Sequence, residues 1–349
     1  MMKAERLELK RLTAFEAAEF NFCPGINVFI GANSTGKTHV MKMIYALLKV
    51  CEVAQRDQVE SREEIERMIQ KKLQGVFKPD TLGRLVRRGR GRESGQINLV
   101  YDGSNVEMIL TTQGNVHLAY TQLLRPEPSV YLPAREFLSI NEGFIAAYLN
   151  RETAFDETFY DLSVALNARL LTPGARKAEV KDLIEPLEKV IGGKVTQKQG
   201  RFYVRLLEGK LEAPLVSEGY LKLSELIYLI NNGSLKRNGI LFWDEPEANL
   251  NPKAVSVVVE VLRTLAASGI QIFIATHDYL LSQKLSLLVE YPSEISVKFF
   301  ALHKPNRRKG TQVEAAETLV DIENNPILEE FAAHYDQELE LFQRASSEG

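Results

Sequence analysis

Lys37 and Thr38 close the segment Gly31-Ala32-Asn33-Ser34-Thr35-Gly36-Lys37-Thr38, which fits G-x-x-x-x-G-K-[ST], the phosphate-binding loop. That spacing carries a definite chemistry. Gly31 and Gly36 let the backbone curl, so that the N–H groups of Asn33, Ser34, Thr35 and Gly36 and the start of the next helix point at phosphate oxygens. Lys37 then reaches the β- and γ-phosphates of a nucleoside triphosphate, and the Thr38 hydroxyl ligates Mg²⁺. A second set is Asp244 and Glu245, which end the apolar run Gly239-Ile240-Leu241-Phe242-Trp243. Asp244 is placed to hold Mg²⁺ directly or through water, and Glu245 to polarise an attacking water as general base. A third run, Gln271-Ile272-Phe273-Ile274-Ala275, delivers Thr276-His277-Asp278, with His277 as a sensor of the γ-phosphate. Each set also has a plainer reading: a glycine-rich turn, an acidic strand cap, a structural histidine.

The elements that must position these residues argue for the chemistry. Residues 26–30 are a short, β-branched apolar run that reads as a buried strand, and residues 39–50 place Val40, Ile44, Leu47 and Leu48 on one helical face. Strand, loop and helix come in the required order. In a parallel sheet the carboxyl ends of strands open onto the ligand crevice, so Asp244 and Glu245 emerge beside the Gly31 loop. Residues 253–268 form one helix-sized segment before the next strand, and that β-α-β spacing brings His277 to the same edge as Glu245. Pro246 ends its strand in any reading.

Lys37 and Asp244 stand 207 positions apart, far more than one crossover needs, so lobes are inserted between them. Residues 55–75 read as one charged amphipathic helix with Val59, Ile65, Met68, Ile69 and Leu73 as its apolar members. Residues 97–123 read as an antiparallel meander turning at Asp102-Gly103 and Gln113-Gly114. Residues 136–191 are expected to be mostly helical, with a break at Thr172-Pro173-Gly174, and residues 194–211 to form a hairpin. Near the C-terminus, residues 326–344 align Leu328, Phe331, Tyr335, Leu339 and Phe342 on one helical face. That face either packs on its own domain or docks a partner chain.

The 349 residues are 45% hydrophobic, enough for a sizeable core, and 43 basic against 46 acidic residues give a net charge of −3. A uniformly basic nucleic-acid binder is therefore excluded, while a local patch is not. Arg84, Arg87, Arg88, Arg90 and Arg92 form such a patch with glycines between them. It could grip nucleic-acid phosphates, an acidic partner, or the chain's own acidic surface. No apolar stretch approaches the roughly 20 residues that span a bilayer, and Met1 to Lys10 is charged without a signal core. A cytoplasmic location with no membrane association is expected. Cys23 and Cys51, the two cysteines, support neither a disulfide framework nor a zinc site.

Taken together, these residues resemble the ATP-binding-cassette (ABC) type ATPases. Within that group they resemble the overcoming-lysogenization-defect (OLD) proteins and the related ATPases of bacterial antiphage systems such as Septu and PARIS. Residues 24–31 look like the SMC- and OLD-type approach to the phosphate loop, or Walker A. Asp244-Glu245-Pro246-Glu247-Ala248-Asn249-Leu250-Asn251-Pro252 looks like Walker B and the D-loop, and Thr276-His277-Asp278 like the switch-histidine loop. Val216-Ser217-Glu218-Gly219-Tyr220 stands where the group carries its signature sequence. Alone, Ser217 reads as an ordinary N-cap. In this position Ser217, Gly219 and the helix start form an anion site, which the resemblance directs at the γ-phosphate held by another protomer, closing a homodimer around two ATP molecules.

The resemblance implies an α/β fold of the P-loop NTPase, ABC-ATPase type, with a mixed central sheet, an antiparallel β subdomain and an inserted helical lobe. Residues 1–135 and 236–349 would build the nucleotide lobe, and 136–235 the helical lobe and signature. It further implies a Mg²⁺-dependent ATPase of the AAA/OLD group whose nucleotide-gated dimer, or larger homo-oligomer, operates a separate nuclease or toxin in antiviral defence. No run of acids with two-metal spacing follows His277, so a nuclease activity is expected from a partner. Two departures stand out. The loop after residues 129–133 reads Ala134-Arg135-Glu136 in place of a glutamine, leaving Arg135 as a candidate phosphate contact. The signature also has Glu218-Gly219 in place of a double glycine. The alternatives are an SMC- or repair-like DNA-binding ATPase, for which 55–75 offers short arms, a transporter subunit, and a slow nucleotide sensor.

Overall fold

Alternating burial along Ala4–Leu12 (β1) and Phe15–Asn21 (β2) makes a half-exposed hairpin, whereas Ile26–Gly31 (β3), buried at all six positions, is an interior strand. The computed structural model describes residues 3–87, 93–121, 124–171, 174, 180–206, 209–290, 295–305 and 310–347. Lys37–Arg56 (α1) follows the phosphate loop and Arg62–Phe77 (α2) folds back on it. The helix expected over 55–75 therefore starts at Arg62, and residues 55 and 56 are the end of α1. Ser61 caps α2 by accepting the Glu64 N–H, a Ser-x-x-Glu start signal that ends any continuation of α1.

Ser94–Tyr101 (β4), Ser104–Thr111 (β5) and Val116–Thr121 (β6) are the expected meander. They join β1 and β2 in a five-stranded antiparallel sheet, order β2-β1-β4-β5-β6. After Ser129–Leu132 (β7) come, among the described residues, the short helices Phe144–Leu149 (α3), Glu157–Leu166 (α4) and Lys181–Ile191 (α5). The break expected at Thr172-Pro173 lies outside the described residues. Lys194–Lys198 (β8), Arg201–Leu206 (β9) and Gly209–Glu212 (β10) form a three-stranded sheet where a hairpin was expected. The polar Gly209–Glu212 has too little apolar signal to announce a strand.

Glu218–Asn231 (α6), Ile240–Asp244 (β11), Pro252–Ala267 (α7), Gln271–Thr276 (β12), Tyr279–Glu290 (α8), Val297–His303 (β13), Gln312–Ala316 (β14) and Pro326–Ser347 (α9) complete the chain. The central sheet has six strands in the order β14-β13-β3-β12-β11-β7. Five of them run parallel and β14 is antiparallel on the edge. β3, β7, β11 and β12 are buried at every position, as strands covered on both faces must be.

Each face has its own core. On one, Phe300, Phe29, Phe273, Phe242 and Tyr131 give one ring per parallel strand, and adjacent rings lie 5.4, 6.4, 4.9 and 6.1 Å apart. α1 covers this aromatic row and in turn packs under the antiparallel sheet. On the other face Val28, Ile30, Leu241, Trp243, Ile272 and Ile274 meet α6, α7 and α8. With both faces filled, the sheet has little freedom to shear, and the loops at its carboxyl edge start from fixed points.

Candidate functional site

The carboxyl ends of β3, β11 and β12 are neighbours in the sheet, and they carry the three sets of residues that the sequence singles out. At the end of β3 the chain turns through Gly31, with φ +145°, where a Cβ would sit 2.3 Å from the Leu302 carbonyl oxygen. Gly36, the N-cap of α1, has φ +106° and would bring a Cβ to 2.9 Å from the Phe15 ring. Both positions exclude a side chain. Between them Asn33 and Ser34 are exposed, and Ser34 takes φ +62°. Thr35 Oγ1 donates to the Ala32 carbonyl at 2.9 Å, and Lys304 Nζ donates to the Ser34 carbonyl at 2.5 Å.

Lys37 is buried and its Nζ donates to the carbonyls of Gly31 at 2.7 Å and Ala32 at 3.0 Å. Burial lowers its pKa, and the carboxylates of Glu245, Asp244 and Glu247 oppose that shift. The ammonium is thus held inside the loop, close to three acids. One residue on, Thr38 Oγ1 donates to Asp244 Oδ1 at 3.2 Å. Tyr131, from β7, donates to Asp244 Oδ2 at 3.3 Å. Burial pushes the Asp244 carboxyl up to about 6, with Glu245 adding to the rise and Thr38, Lys42 and Tyr131 opposing it.

A hydroxyl and a carboxylate side by side are hard oxygen donors. Among the described residues no group of three or more His, Cys, Asp or Glu could hold a metal unaided. Thr38 with Asp244 fits a Mg²⁺ ion that completes its shell with phosphate oxygens and water. Glu245 follows at φ +45°, its N–H donating to the Ala275 carbonyl at 2.9 Å, and this turn directs it off the strand end. Its Oε1 lies 3.3 Å from His277 Nδ1. Glu247 Oε1 accepts from Thr276 Oγ1 at 2.5 Å, and Thr276 Oγ1 accepts the Asp278 N–H at 2.9 Å. Both sides of His277 are therefore braced.

Lys37, Thr38, Asp244, Glu245 and His277 come together. Ser217 and Gly219 lie elsewhere, at the start of α6 against the D-loop, where a cavity of about 350 Å³ is lined by Ser217, Gly219, Tyr220, Asn249 and Leu250. Ser217 is the N-cap residue by backbone geometry, yet its hydroxyl makes no capping bond, which leaves it available. Arg135 is exposed, with its guanidinium 5.9 Å from the Phe155 ring centre. Of the basic segment, Arg84 pairs with Asp80 at 2.5 Å, and Arg87 pairs with Glu16 at 3.2 Å and donates to the Ala14 carbonyl. Arg88, Arg90 and Arg92 lie outside the described residues.

Four contributors escaped the sequence reading: Tyr131, Lys222, Glu247 and Lys304. Glu247 carried a signal, as a second acid two residues past Glu245. The other three act from positions remote in sequence, Tyr131 on β7, Lys222 on α6 and Lys304 just past β13, where each passes for a core or surface residue.

Comparison with known proteins places this geometry. Residues 115–282 match the family described as "AAA domain, putative AbiEii toxin, Type IV TA system", a span that starts after the phosphate loop and includes Ser217, Asp244 and His277. The chain is 48% identical over 46 residues to the DNA replication and repair protein RecF of Lysinibacillus sphaericus (strain C3-41), covering 13% of this chain and 12% of that protein. It is 49% identical over 48 residues to the Old nuclease of Escherichia phage P2, covering 14% of this chain and 8% of that one. The matched segment thus spans a small fraction of either relative. The SMC head domain with an extended coiled coil from Pyrococcus furiosus, solved bound to the C-terminal domain of ScpA, superposes with a TM-score of 0.54. The identity there is 12%, over 97% of this chain and 100% of that one. The chain has the fold of the SMC heads and, over one short segment, is similar to the RecF proteins and to the Old nuclease.

Proposed function

We propose that this ABC-type chain binds ATP with Mg²⁺, hydrolyses the γ-phosphate, and uses nucleotide-dependent pairing of two copies to control a separate effector protein. The convergence of Lys37, Thr38, Asp244, Glu245 and His277 on the ends of three adjacent strands carries this reading. Lys37 exchanges the carbonyls of its own loop for β- and γ-phosphate oxygens, a charge-assisted contact that improves on the neutral one it leaves. Thr38 and Asp244 hold Mg²⁺, which when bound neutralises charge on the β- and γ-oxygens. Glu245 accepts a proton from water aligned with the γ-phosphate, and His277, 3.3 Å from its carboxylate, orients that carboxylate and senses the phosphate.

Ser217, Gly219 and the α6 N-terminus form the second half of the site, offered to the γ-phosphate held by the partner copy. The family whose profile the chain matches is described as a putative toxin system, and one relative is named a nuclease. These names support an effector that is a nuclease or toxin and a role in bacterial antiphage defence. Turnover by the wild type and by Glu245→Gln tests the enzymatic claim. The variant is expected to bind ATP as tightly while turnover falls by about 10²-fold or more. Equal turnover in the two proteins would remove Glu245 from the role of base. A copurifying effector, present in ATP and lost in ADP, is the expected companion result.

A further inference from the structure

Lys222 lies on α6, one turn past Gly219, and is 1% exposed. A lysine so deeply placed must be paired or bonded, and no carboxylate forms an ion pair with it among the described residues. Its Nζ instead donates to two backbone carbonyls, Glu245 at 3.1 Å and Ala248 at 3.1 Å. Those carbonyls bracket the turn that leaves β11, and the first belongs to the residue whose backbone stands at φ +45°. Left-handed backbone is unfavourable for a non-glycine residue and needs something to hold it. A cation chelated by both ends of the turn is such a hold.

The same helix grips the loop on the far side of the crevice. Three residues after Lys222, the buried Glu225 accepts the N–H groups of Phe137 and Leu138, which follow Arg135 and Glu136. α6 therefore begins with Ser217 and Gly219 at its exposed end and, one to two turns on, holds both the turn of Glu245 and the loop after β7.

We propose that Lys222 is a positioning residue for Glu245: its ammonium fixes the turn that aims the carboxylate, and it makes that aim depend on where the signature helix sits. The proposal rests on the ATPase reading above. Displacing α6 when a second copy's nucleotide engages Ser217 moves Nζ, and with it the Glu245 and Ala248 carbonyls. Hydrolysis is then strongest when the composite site is closed. Lys37 and Thr38 bind nucleotide from a separate loop, so Lys222 bears on turnover and not on affinity.

Lys222→Met keeps the apolar stem and removes the donor. Steady-state ATP hydrolysis is expected to show kcat reduced about 10-fold or more, because small misplacement of a reacting group carries losses up to about 10²-fold. KM and the equilibrium affinity for ATP stay within about twofold of wild type, and Lys222→Arg restores part of kcat. Should the methionine variant not fold, Lys222→Gln, with one amide donor on a shorter stem, is expected to give an intermediate kcat at unchanged KM. A wild-type kcat in a variant lacking the ammonium, or a loss of affinity in proportion to kcat, overturns the proposal. Wild type and Glu245→Gln measured alongside separate this failure from failure of the ATPase reading, since only the latter leaves Glu245→Gln as active as wild type.

Discussion

At the scale of single residues, Lys37, Thr38, Asp244, Glu245 and His277 meet at one edge of the sheet, and Lys222 and Glu225 grip the neighbouring turn and loop from one helix. Lys37, Thr38, Asp244, Glu245 and His277 announce themselves because each stands at the end of an apolar strand or inside a spaced motif. Lys222 and Glu225 sit in a helix whose apolar neighbours hide them, and only a fold brings a lysine 23 positions upstream to the Glu245 carbonyl. Glu225 yields a prediction of its own. Burial pushes its carboxyl up to about 8, with Glu136 adding to the rise and the Phe137 and Leu138 amides and Lys222 opposing it. Its folded-state pKa thus exceeds that of the unfolded chain, about 4.3. The native state holds a proton that the unfolded chain has released, so this contribution to stability is full below pH about 4 and is lost as pH rises through about 8. Glu225→Gln keeps the acceptor oxygen and removes the titration. Denaturant midpoints at pH 5, 7 and 9 should show the variant gaining on wild type as pH rises; an offset constant with pH would contradict this.

At the scale of elements, parallel strands and the phosphate loop were readable because buried apolar runs and glycine spacing are local signals. The helix boundary between α1 and α2 was misread because apolar positions continue across it, while the Ser61-to-Glu64 cap that divides them is weak beside that pattern. On α9 Tyr279 stacks on Phe331 at 4.3 Å, whereas Tyr335 and Leu339 are exposed. Hydrophobic spacing alone says that a face is apolar, not what covers it. The joint between β3 and β13 gives the test at this scale. Gly31 combines φ +145° with a Cβ position 2.3 Å from the Leu302 carbonyl, a backbone atom that can yield only by parting the two strands. Gly31→Ala is expected to cost about 2 kcal/mol or more in urea denaturation and to weaken ATP binding. A stability within about 0.5 kcal/mol of wild type would show the joint to be more compliant than its packing implies.

At the scale of the whole molecule, the proposed function divides its site between two elements of one copy. The Gly31 loop with Asp244, Glu245 and His277 forms one half, and Ser217 with Gly219 beside the D-loop forms the other. The sequence places both halves in one chain, but motif spacing carries no information on whether they face each other or a second copy. The proposed function requires the second arrangement, and the mass of the protein in solution tests it most directly. Light scattering on Glu245→Gln with Mg²⁺ and ATP should report twice the monomer mass, with the monomer mass in ADP. Ser217→Arg added to that variant should restore the monomer mass in ATP while ATP still binds. A mass indifferent to the nucleotide, or a dimer that survives Ser217→Arg, would contradict the composite site.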